Sequence, residues 1–337
     1  MCPHATSQGL RAAKHAVLLG ALALSVQSCQ RSESPAPQIL GSALPTQSSI
    51  VATLTRPTAA ALSANGKTLY VLAQAEDETY QLYAGAVGSA LSVVPTSLPL
   101  AYPVALALRR DDRELLIVDL GSSDADAPAG VVYRGTLDGA LTPLVAPDMQ
   151  RPTAAAIAAD DRSAYITGYS AQTGQAGVWN MPFSEGSTQP IFQGAPLAQP
   201  IGIAVASDGG VYVADAQGSS PGTGGIFRIA AGQAVPISNG PLSLSFPSGI
   251  CPAGRPSPDL LISAPLLTGT EPWLLRVSPS GTIEDIVLPS ATEVTALNRA
   301  ADVDLWVAID AVVPSSAASS DPLSPERPQG HILLLTP

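Results

Sequence analysis

Six charged residues stand at the ends of predicted strands, where their side chains could act together. They are Arg56, Asp119, Arg151, Asp215, Glu293 and Asp310. In an antiparallel pair, the start of the first strand and the end of the second open on the same side, so we expect all six on one face. Acids around an opening could hold a hard cation such as Ca²⁺ or bind a cationic ligand. The alternative is structural, because an Asp at a strand end often caps the next turn and a terminal Glu or Arg often reaches solvent.

Side chains for the common hydrolytic mechanisms are scarce. Beyond residue 28 the chain contains a single histidine, His331, in the last predicted strand. A Ser-His-Asp triad, a Cys-His dyad or a multi-histidine zinc site needs a histidine in a cleft. Cys251 is the only cysteine in the body of the chain, and we expect it to be a small buried residue. We therefore assign no catalytic residue and no cofactor from these residues, and leave enzymatic activity open.

The first residues have the features of an export signal. Arg11 and Lys14 precede an apolar run over residues 16–26, which is too short to span a bilayer as a mature helix. The run ends at Val-Gln-Ser-Cys and resembles the bacterial lipobox, in which the cysteine, here Cys29, is acylated and becomes the mature N-terminus. The alternative is an ordinary periplasmic or secreted protein.

Three segments follow from this interpretation. Residues 1–28 are predicted to be a signal peptide, and residues 29–48, rich in Ser, Pro and Gln, a flexible tether. Residues 49–337 are predicted to form the folded domain. The formal charge of −11 argues against a nucleic-acid partner, because that binding depends on clustered basic residues. Any contact with a membrane is expected only through the N-terminal lipid.

An alanine-rich segment recurs six times at intervals of 45 to 49 residues. The second positions of the repeats are Pro57, Pro103, Pro152, Pro200, Pro247 and Thr292. A polar turn and an alternating strand follow each segment, then a third strand and, in five repeats, a fourth. Four strands per unit at this period indicate a β-propeller. A β-sandwich array is the alternative, but it predicts no constant period.

The sixth repeat ends without a fourth strand, and residues 50–55 before the first repeat can supply it. This N-terminal strand would pair with the last strand, residues 331–336, and close the ring. The Ala and Gly content of each first strand fits the crowded position beside a central channel. Pro143, Pro190 and Pro236 lie in fourth strands, and proline lacks the N–H that a central strand donates, so these strands should lie at the outer edge.

At residues 199–217, QPIGIAVASDGGVYVADAQ, the chain resembles the six-bladed NHL and SMP-30/gluconolactonase-like propellers. Members of the second group bind a divalent metal in the channel through a Glu, an Asn and an Asp. The resemblance implies that Asp215 occupies the place of the Asp and that Glu293 could stand for the Glu. Ile201 stands where the Asn is expected. NHL-type propellers instead use their faces for binding.

The sequence thus predicts an all-β, six-bladed β-propeller with four antiparallel strands per blade, closed by an N-terminal strand. We expect an exported, lipid-anchored monomer of the bacterial envelope. Its function is expected to be non-enzymatic binding or scaffolding of a protein or small ligand, at the face that carries the six charged residues. The alternative is a lactonase-like hydrolase that uses Ca²⁺ or another divalent cation, with Asp215 and Glu293 as ligands.

Overall fold

The computed structural model describes a defined set of residue ranges. They are residues 44–121, 130–144, 146–184, 188–220, 223–237, 242, 244, 249–255, 257–263, 274–288, 294–311 and 329–337. The sequence predictions that lie outside these ranges are the signal peptide, the lipidation site at Cys29, most of the tether, the repeat positions Pro247 and Thr292, and the candidate ligand Glu293.

In these ranges the chain is built from β-strands and contains no helix. The first eight are β1 (Gln47–Leu62), β2 (Thr68–Gln74), β3 (Tyr80–Ala86), β4 (Ser92–Val94), β5 (Pro103–Leu108), β6 (Glu114–Asp119), β7 (Val131–Thr136) and β8 (Leu141–Leu144). The next eight are β9 (Met149–Ile157), β10 (Ser163–Ser170), β11 (Ala176–Pro182), β12 (Gln189–Gln193), β13 (Pro200–Val205), β14 (Val211–Ser220), β15 (Thr223–Ala230) and β16 (Gln233–Pro236). The last seven are β17 (Ile250–Pro252), β18 (Leu260–Ser263), β19 (Leu274–Val277), β20 (Ile283–Ile286), β21 (Val294–Arg299), β22 (Trp306–Ala311) and β23 (Gln329–Thr336). A search of the described residues for a helix long and apolar enough to cross a membrane finds none.

Four sheets each contain four consecutive antiparallel strands: β5 to β8, β9 to β12, β13 to β16 and β17 to β20. The remaining strands form a seven-stranded sheet in the order β21-β22-β23-β1-β2-β3-β4. The predicted all-β class and the propeller arrangement of four-stranded sheets are therefore confirmed. The strand patterns explain the arrangement, since buried positions such as Leu115 to Val118 alternate between the two faces of a sheet that is covered on both sides.

Strand β1 pairs with strands from both ends of the chain. Its first part pairs with β23, with Ile50 opposite Leu333 and Thr53 opposite His331, and its second part pairs with β2, with Ala60 opposite Val71. The predicted pairing of the N-terminal and C-terminal segments is thus observed. The strand begins at Gln47, inside the segment expected to be tether, because Gln47 already pairs with Thr336.

The order of strands within a sheet also matches the sequence patterns. The fourth strands β8, β12 and β16, which carry the three prolines, lie at sheet edges, where a missing N–H costs no ladder hydrogen bond. The first strands pack against one another, β1 on β5, β5 on β9, β9 on β13, β13 on β17, β17 on β21 and β21 on β1. These contacts close a ring around a central channel.

The core lies between neighbouring sheets. Tyr212 and Ile226 of one sheet pack in a single apolar cluster with Ile262 and Leu275 of the next. Trp179 is likewise fully buried. Because each sheet buries both faces against its neighbours, the hydrophobic stabilisation of every unit depends on the presence of the units beside it.

The sixth repeat has a different register from the one the sequence predicts. Pro103 pairs with Asp119 and Pro200 with Asp215, whereas Asp310 pairs with Val294. Val294, two residues after Thr292, therefore holds the position that proline occupies elsewhere. This repeat has no proline at the position to mark the start of the strand.

Gly249, directly before the first strand β17, lies close against Leu297 of the first strand β21. A Cβ built on this residue would lie 2.3 Å from the backbone nitrogen of Leu297 and 2.5 Å from its Cβ. Replacing Gly249 with alanine is therefore expected to destabilise the protein by about 2–3 kcal/mol, because the neighbouring backbone cannot move without disturbing the ring. Thermal or denaturant unfolding measures this loss.

Gly88 provides the matched control for that substitution. It has a φ of +78° and nothing within 4 Å of a built Cβ, so Gly88→Ala should cost only about 1 kcal/mol, from backbone strain alone. Equal losses at the two positions would mean that crowding beside the channel contributes nothing.

Candidate functional site

The first strands surround a channel of about 680 Å³. Its wall is formed mainly by alanine and aliphatic residues, such as Ala59, Val104, Ala155 and Ile203, with Thr153 and Asn298 as polar side chains. We call the side on which the first strands begin and the second strands end the start face. We call the opposite opening, where the turns between first and second strands lie, the turn mouth.

Asp215, at the start face, is fully buried, and its carboxylate accepts hydrogen bonds from three backbone N–H groups. The donors are Ala198 at 2.9 Å, Gln199 at 3.0 and 3.1 Å to the two oxygens, and Gln217 at 2.9 Å. Its exposed fraction is 0%. The carboxylate thus holds the segment that enters β13 against the middle of β14.

Asp119 makes the same arrangement in its own sheet. Its oxygens accept hydrogen bonds from the backbone N–H groups of Ala101 at 2.8 Å, Tyr102 at 2.9 Å and Gly121 at 2.8 Å, and the residue is 1% exposed. Asp310 has the equivalent place opposite Val294 and is 2% exposed. The three Asp residues predicted as site residues therefore lie in matching positions on different sheets, each buried. The backbone hydrogen bonds of Asp119 and Asp215 are those of the turn-capping alternative.

Arg56 and Arg151 are the exposed members of the predicted set. Both precede a proline at a register shift of the first strand, and both have left-handed backbone angles, with φ of 41° and 48°. The guanidinium of Arg151 lies 5.2 Å from the ring centre of Tyr169, a cation–π contact. Burial raises the pKa of Tyr169, and the charge of Arg151 opposes that change.

Two further tyrosines lie at the start face, and the sequence analysis did not select them. The rings of Tyr80 and Tyr102 meet edge to face with centres 5.7 Å apart, and Tyr102 is 43% exposed. Burial raises the pKa of Tyr80, Tyr102 raises it further, and Arg56 opposes both. The start face therefore presents arginine and tyrosine to solvent, with the acids underneath. Tyr102 directly precedes Pro103, which is the only sequence signal that could have drawn attention to it.

The backbone of Arg56 is expected to be strained, and a substitution can measure that strain. Arg56→Gly should leave stability unchanged or raise it by up to about 1 kcal/mol, because glycine adopts positive φ without the steric cost of about 1–2 kcal/mol paid by other residues. Thermal unfolding of the two proteins tests this.

Arg113→Gly is the control, since Arg113 is also an exposed arginine but has no positive φ. That substitution should lower stability by about 0.5–1 kcal/mol, through the entropy of the unfolded chain. If Arg56→Gly is as harmful as Arg113→Gly, the positive φ at Arg56 carries no strain.

The turn mouth holds a group of charges that sequence reasoning treated only as polar turns. Arg110, Asp161, Asp208, Arg255 and Arg299 line it. Two of these groups, Arg110 and Asp161, have partners on another turn, and the backbone N–H of Arg110 donates to Asp161. Arg110 pairs with Asp302 at 2.6 Å, although the two residues are 192 positions apart in the chain.

The turns are fixed from outside by arginines on the third strands. Arg134 and Arg109 both bind Glu114, and Arg109 also packs over the ring of Phe183 with 4.9 Å between the guanidinium carbon and the ring centre. Burial alone would raise the pKa of Glu114, but the hydrogen bonds from Arg134 and Arg109 lower it overall. Arg276 and Asp259 make the equivalent pair in the sheet that begins with β17. These pairs keep the turns, and hence the turn mouth, in place.

The two other reactive residues, His331 and Cys251, have no partner that suggests a catalytic role among the described residues, although Cys251 lines the channel. His331 is on β23 and its Nδ1 lies 3.0 Å from Oγ1 of Thr53 on the outer part of β1. Cys251 is buried and unpaired, as the sequence predicts, and burial raises the pKa of its thiol. Within the part of the chain that the structure describes, no three His, Cys, Asp or Glu side chains are grouped so that they could hold a metal ion.

Comparison with known proteins gives structural matches only. No protein family matches the chain, and no curated protein matches it either. A glucose dehydrogenase structure is 13% identical, with 86% of this chain and 99% of that chain covered and a TM-score of 0.59. A gluconolactonase from Xanthomonas campestris is 16% identical, with 84% and 87% covered and a TM-score of 0.51.

TolB from Acinetobacter baumannii is also similar, at 15% identity and a TM-score of 0.51, over 68% of this chain. The present chain spans about half of the length of that protein, 53%. At such low identity, similarity of structure is informative about architecture and not about the groups in a site. These likenesses therefore show that the chain has the fold of a β-propeller.

Proposed function

We propose that this protein is an exported β-propeller that binds a protein or small ligand at its start face and catalyses no reaction there. The observation that carries the proposal is the way the acids are used. Asp119 and Asp215 direct their oxygens to backbone N–H groups, whereas Arg56, Arg151 and Tyr102 are exposed. A partner that presents carboxylates and an apolar or aromatic group would fit these side chains.

We propose further that the ring has six blades and belongs to the NHL-like group. The seven-stranded sheet then counts as two blades that share β1, and the first strands β1, β5, β9, β13, β17 and β21 form the inner ring. A shared strand of this kind is the usual means by which a propeller avoids an open seam.

For location we propose the bacterial cell envelope, with a lipid on Cys29 and the propeller as a monomer. Support comes from the basic and apolar residues that precede Cys29. Mass spectrometry of the mature N-terminus tests it, and an unmodified start at any other residue would contradict the anchor.

Site-specific photo-crosslinking tests the binding surface. A photoreactive phenylalanine analogue at Tyr102 should give a discrete adduct in the native host, and the adduct should weaken when Arg56 and Arg151 are both changed to Gln. The same analogue at Val93, 47% exposed on the outer strand β4, is the control and should give none. Equal labelling from both positions, or none from Tyr102, would contradict a partner at the start face.

The competing function is a metal-dependent lactonase, for which the likeness to the gluconolactonase structure is the reason. The purified protein should show no lactone hydrolysis above buffer and no response to a chelator. Turnover that Ca²⁺ restores after chelation would establish the lactonase function in place of the binding module.

A further inference from the structure

Of the three arginines at the turn mouth, Arg110 and Arg299 have ion-pair partners among the described residues, and Arg255 has none. Both lining acids are held by their own surroundings. The carboxylate of Asp161 accepts hydrogen bonds from Nη2 of Arg109 at 3.3 Å and from the backbone N–H of Arg110 at 3.0 Å. That of Asp208 accepts one from the backbone N–H of Gly210 at 2.8 Å. Neither acid forms an ion pair with Arg255 or Arg299.

Arg255 has no ion pair with any described residue, although it lines the channel. Partial burial lowers the pKa of its guanidinium, and repulsion from Arg110 and Arg299 lowers it further, against the attraction of Asp302. Arg110 and Arg299 thus both repel Arg255 at this mouth. Asp302 is already engaged by Arg110.

Arg299, at the same mouth, has a buried N–H group for which the described residues provide no acceptor. Its side chain is only 7% exposed, Nη2 binds Asp304 at 2.6 Å and Nη1 donates to the carbonyl oxygen of Ala300 at 3.1 Å. Its Nε–H is buried and has no partner among the described residues. A buried charged donor without an acceptor is costly, and such groups are commonly satisfied by water or by a ligand.

We propose that the turn mouth is a binding site for a small oxyanion group, a carboxylate or a phosphate, held by Arg255 with Arg299 and Arg110 beside it. The planar fork of a guanidinium matches these groups with two parallel hydrogen bonds, and charge-assisted bonds are the strong ones. The channel behind the mouth has the size of small-molecule sites, so the anion can be the head of a larger molecule that extends inward.

The charges also predict whether each substitution strengthens or weakens anion binding. The Arg110–Asp302 pair is 46% exposed on both sides and therefore weak, so Arg110 can turn toward an anion. Removing the charge of Asp302 should favour a bound anion, and removing that of Arg255 should disfavour it. The site uses none of the start-face residues, so the two proposals can fail separately.

Titration of the full mature protein with inorganic phosphate and, separately, with acetate tests the site, with sodium chloride at equal ionic strength as the blank. The ¹H–¹⁵N resonances of arginine Nε–H groups give the readout. We expect saturable shifts of Arg255 and Arg299 with at least one of the two anions and none for Arg113, which is exposed on the same side but does not line the channel. The anion that saturates at lower concentration identifies the preferred head group.

Three variants decide the outcome. Arg255→Gln should weaken binding by at least about ten-fold and leave the melting temperature unchanged, because Arg255 has no partner to lose. Asp302→Asn should bind at least as tightly as the parent protein, and Arg113→Gln should bind equally. The proposal is overturned if neither anion gives saturable shifts, if Arg255→Gln binds like the parent, or if Asp302→Asn binds more weakly.

Discussion

A chain that begins at Thr55 is expected to lose cooperative folding, because it lacks the part of β1 that pairs with β23. In the intact protein Ile50 lies opposite Leu333 and Ala52 opposite Ile332, and these C-terminal residues are fully buried. Without the strand, β23 becomes an open edge and the ring has a gap between its ends. The lost pairing and burial are comparable with the whole stability of a domain, about 5–15 kcal/mol. Circular dichroism melting and size-exclusion chromatography measure the effect, expected as a broad transition and aggregation.

A chain that begins at Leu44 is the control, since it retains every described strand and should melt like the parent. A synthetic peptide of residues 44–55 added to the shorter chain should restore part of the cooperative transition, because strand pairing does not require a covalent link. A cooperative melt of the shorter chain within a few degrees of the parent would contradict closure by β1.

The sequence was most informative where one physical requirement repeats. The side chains of each second strand must point alternately to two covered faces, and those of each first strand must be small beside the channel. Residue types such as those of Tyr212 and Ala204 therefore recur at a constant period. The prolines of the fourth strands are an equally local signal. Because proline has no N–H to donate, it is expected in an edge strand. Local signals of this kind predicted the strands and the pairing of the chain ends.

Contacts between distant turns could not be predicted in this way. Arg110 and Asp302 meet only because the ring brings together turns that are 192 residues apart. The role of the acids could not be predicted either. An Asp that binds a metal and an Asp that accepts hydrogen bonds from backbone N–H groups can have the same sequence neighbours. The sixth register was missed because Val294 lacks the proline that marks the other repeats.

Asp215→Ala is expected to lower the stability of the protein by at least about 3 kcal/mol, whether or not any cation is present. The substitution removes the acceptor of three partly buried backbone N–H groups, those of Ala198, Gln199 and Gln217. Each unsatisfied donor then costs about 1 kcal/mol, the low end of the range for buried groups. For a domain of this size the melting temperature should fall by roughly 6 °C or more. The reason is structural, so a chelator should not change the melting temperature of the parent protein.

Asp208→Ala is the matched control, because Asp208 is an acid of the same sheet that is 42% exposed in its side chain and accepts a hydrogen bond from one N–H. It should cost no more than about 1 kcal/mol. A metal ligand would behave differently from a structural clamp: Ca²⁺ would raise the melting temperature of the parent by several degrees and have no effect on Asp215→Ala. That pattern would assign Asp215 to a metal site and favour the lactonase. A large loss that is independent of Ca²⁺ assigns Asp215 to the structural role, in which its carboxylate holds backbone N–H groups in place.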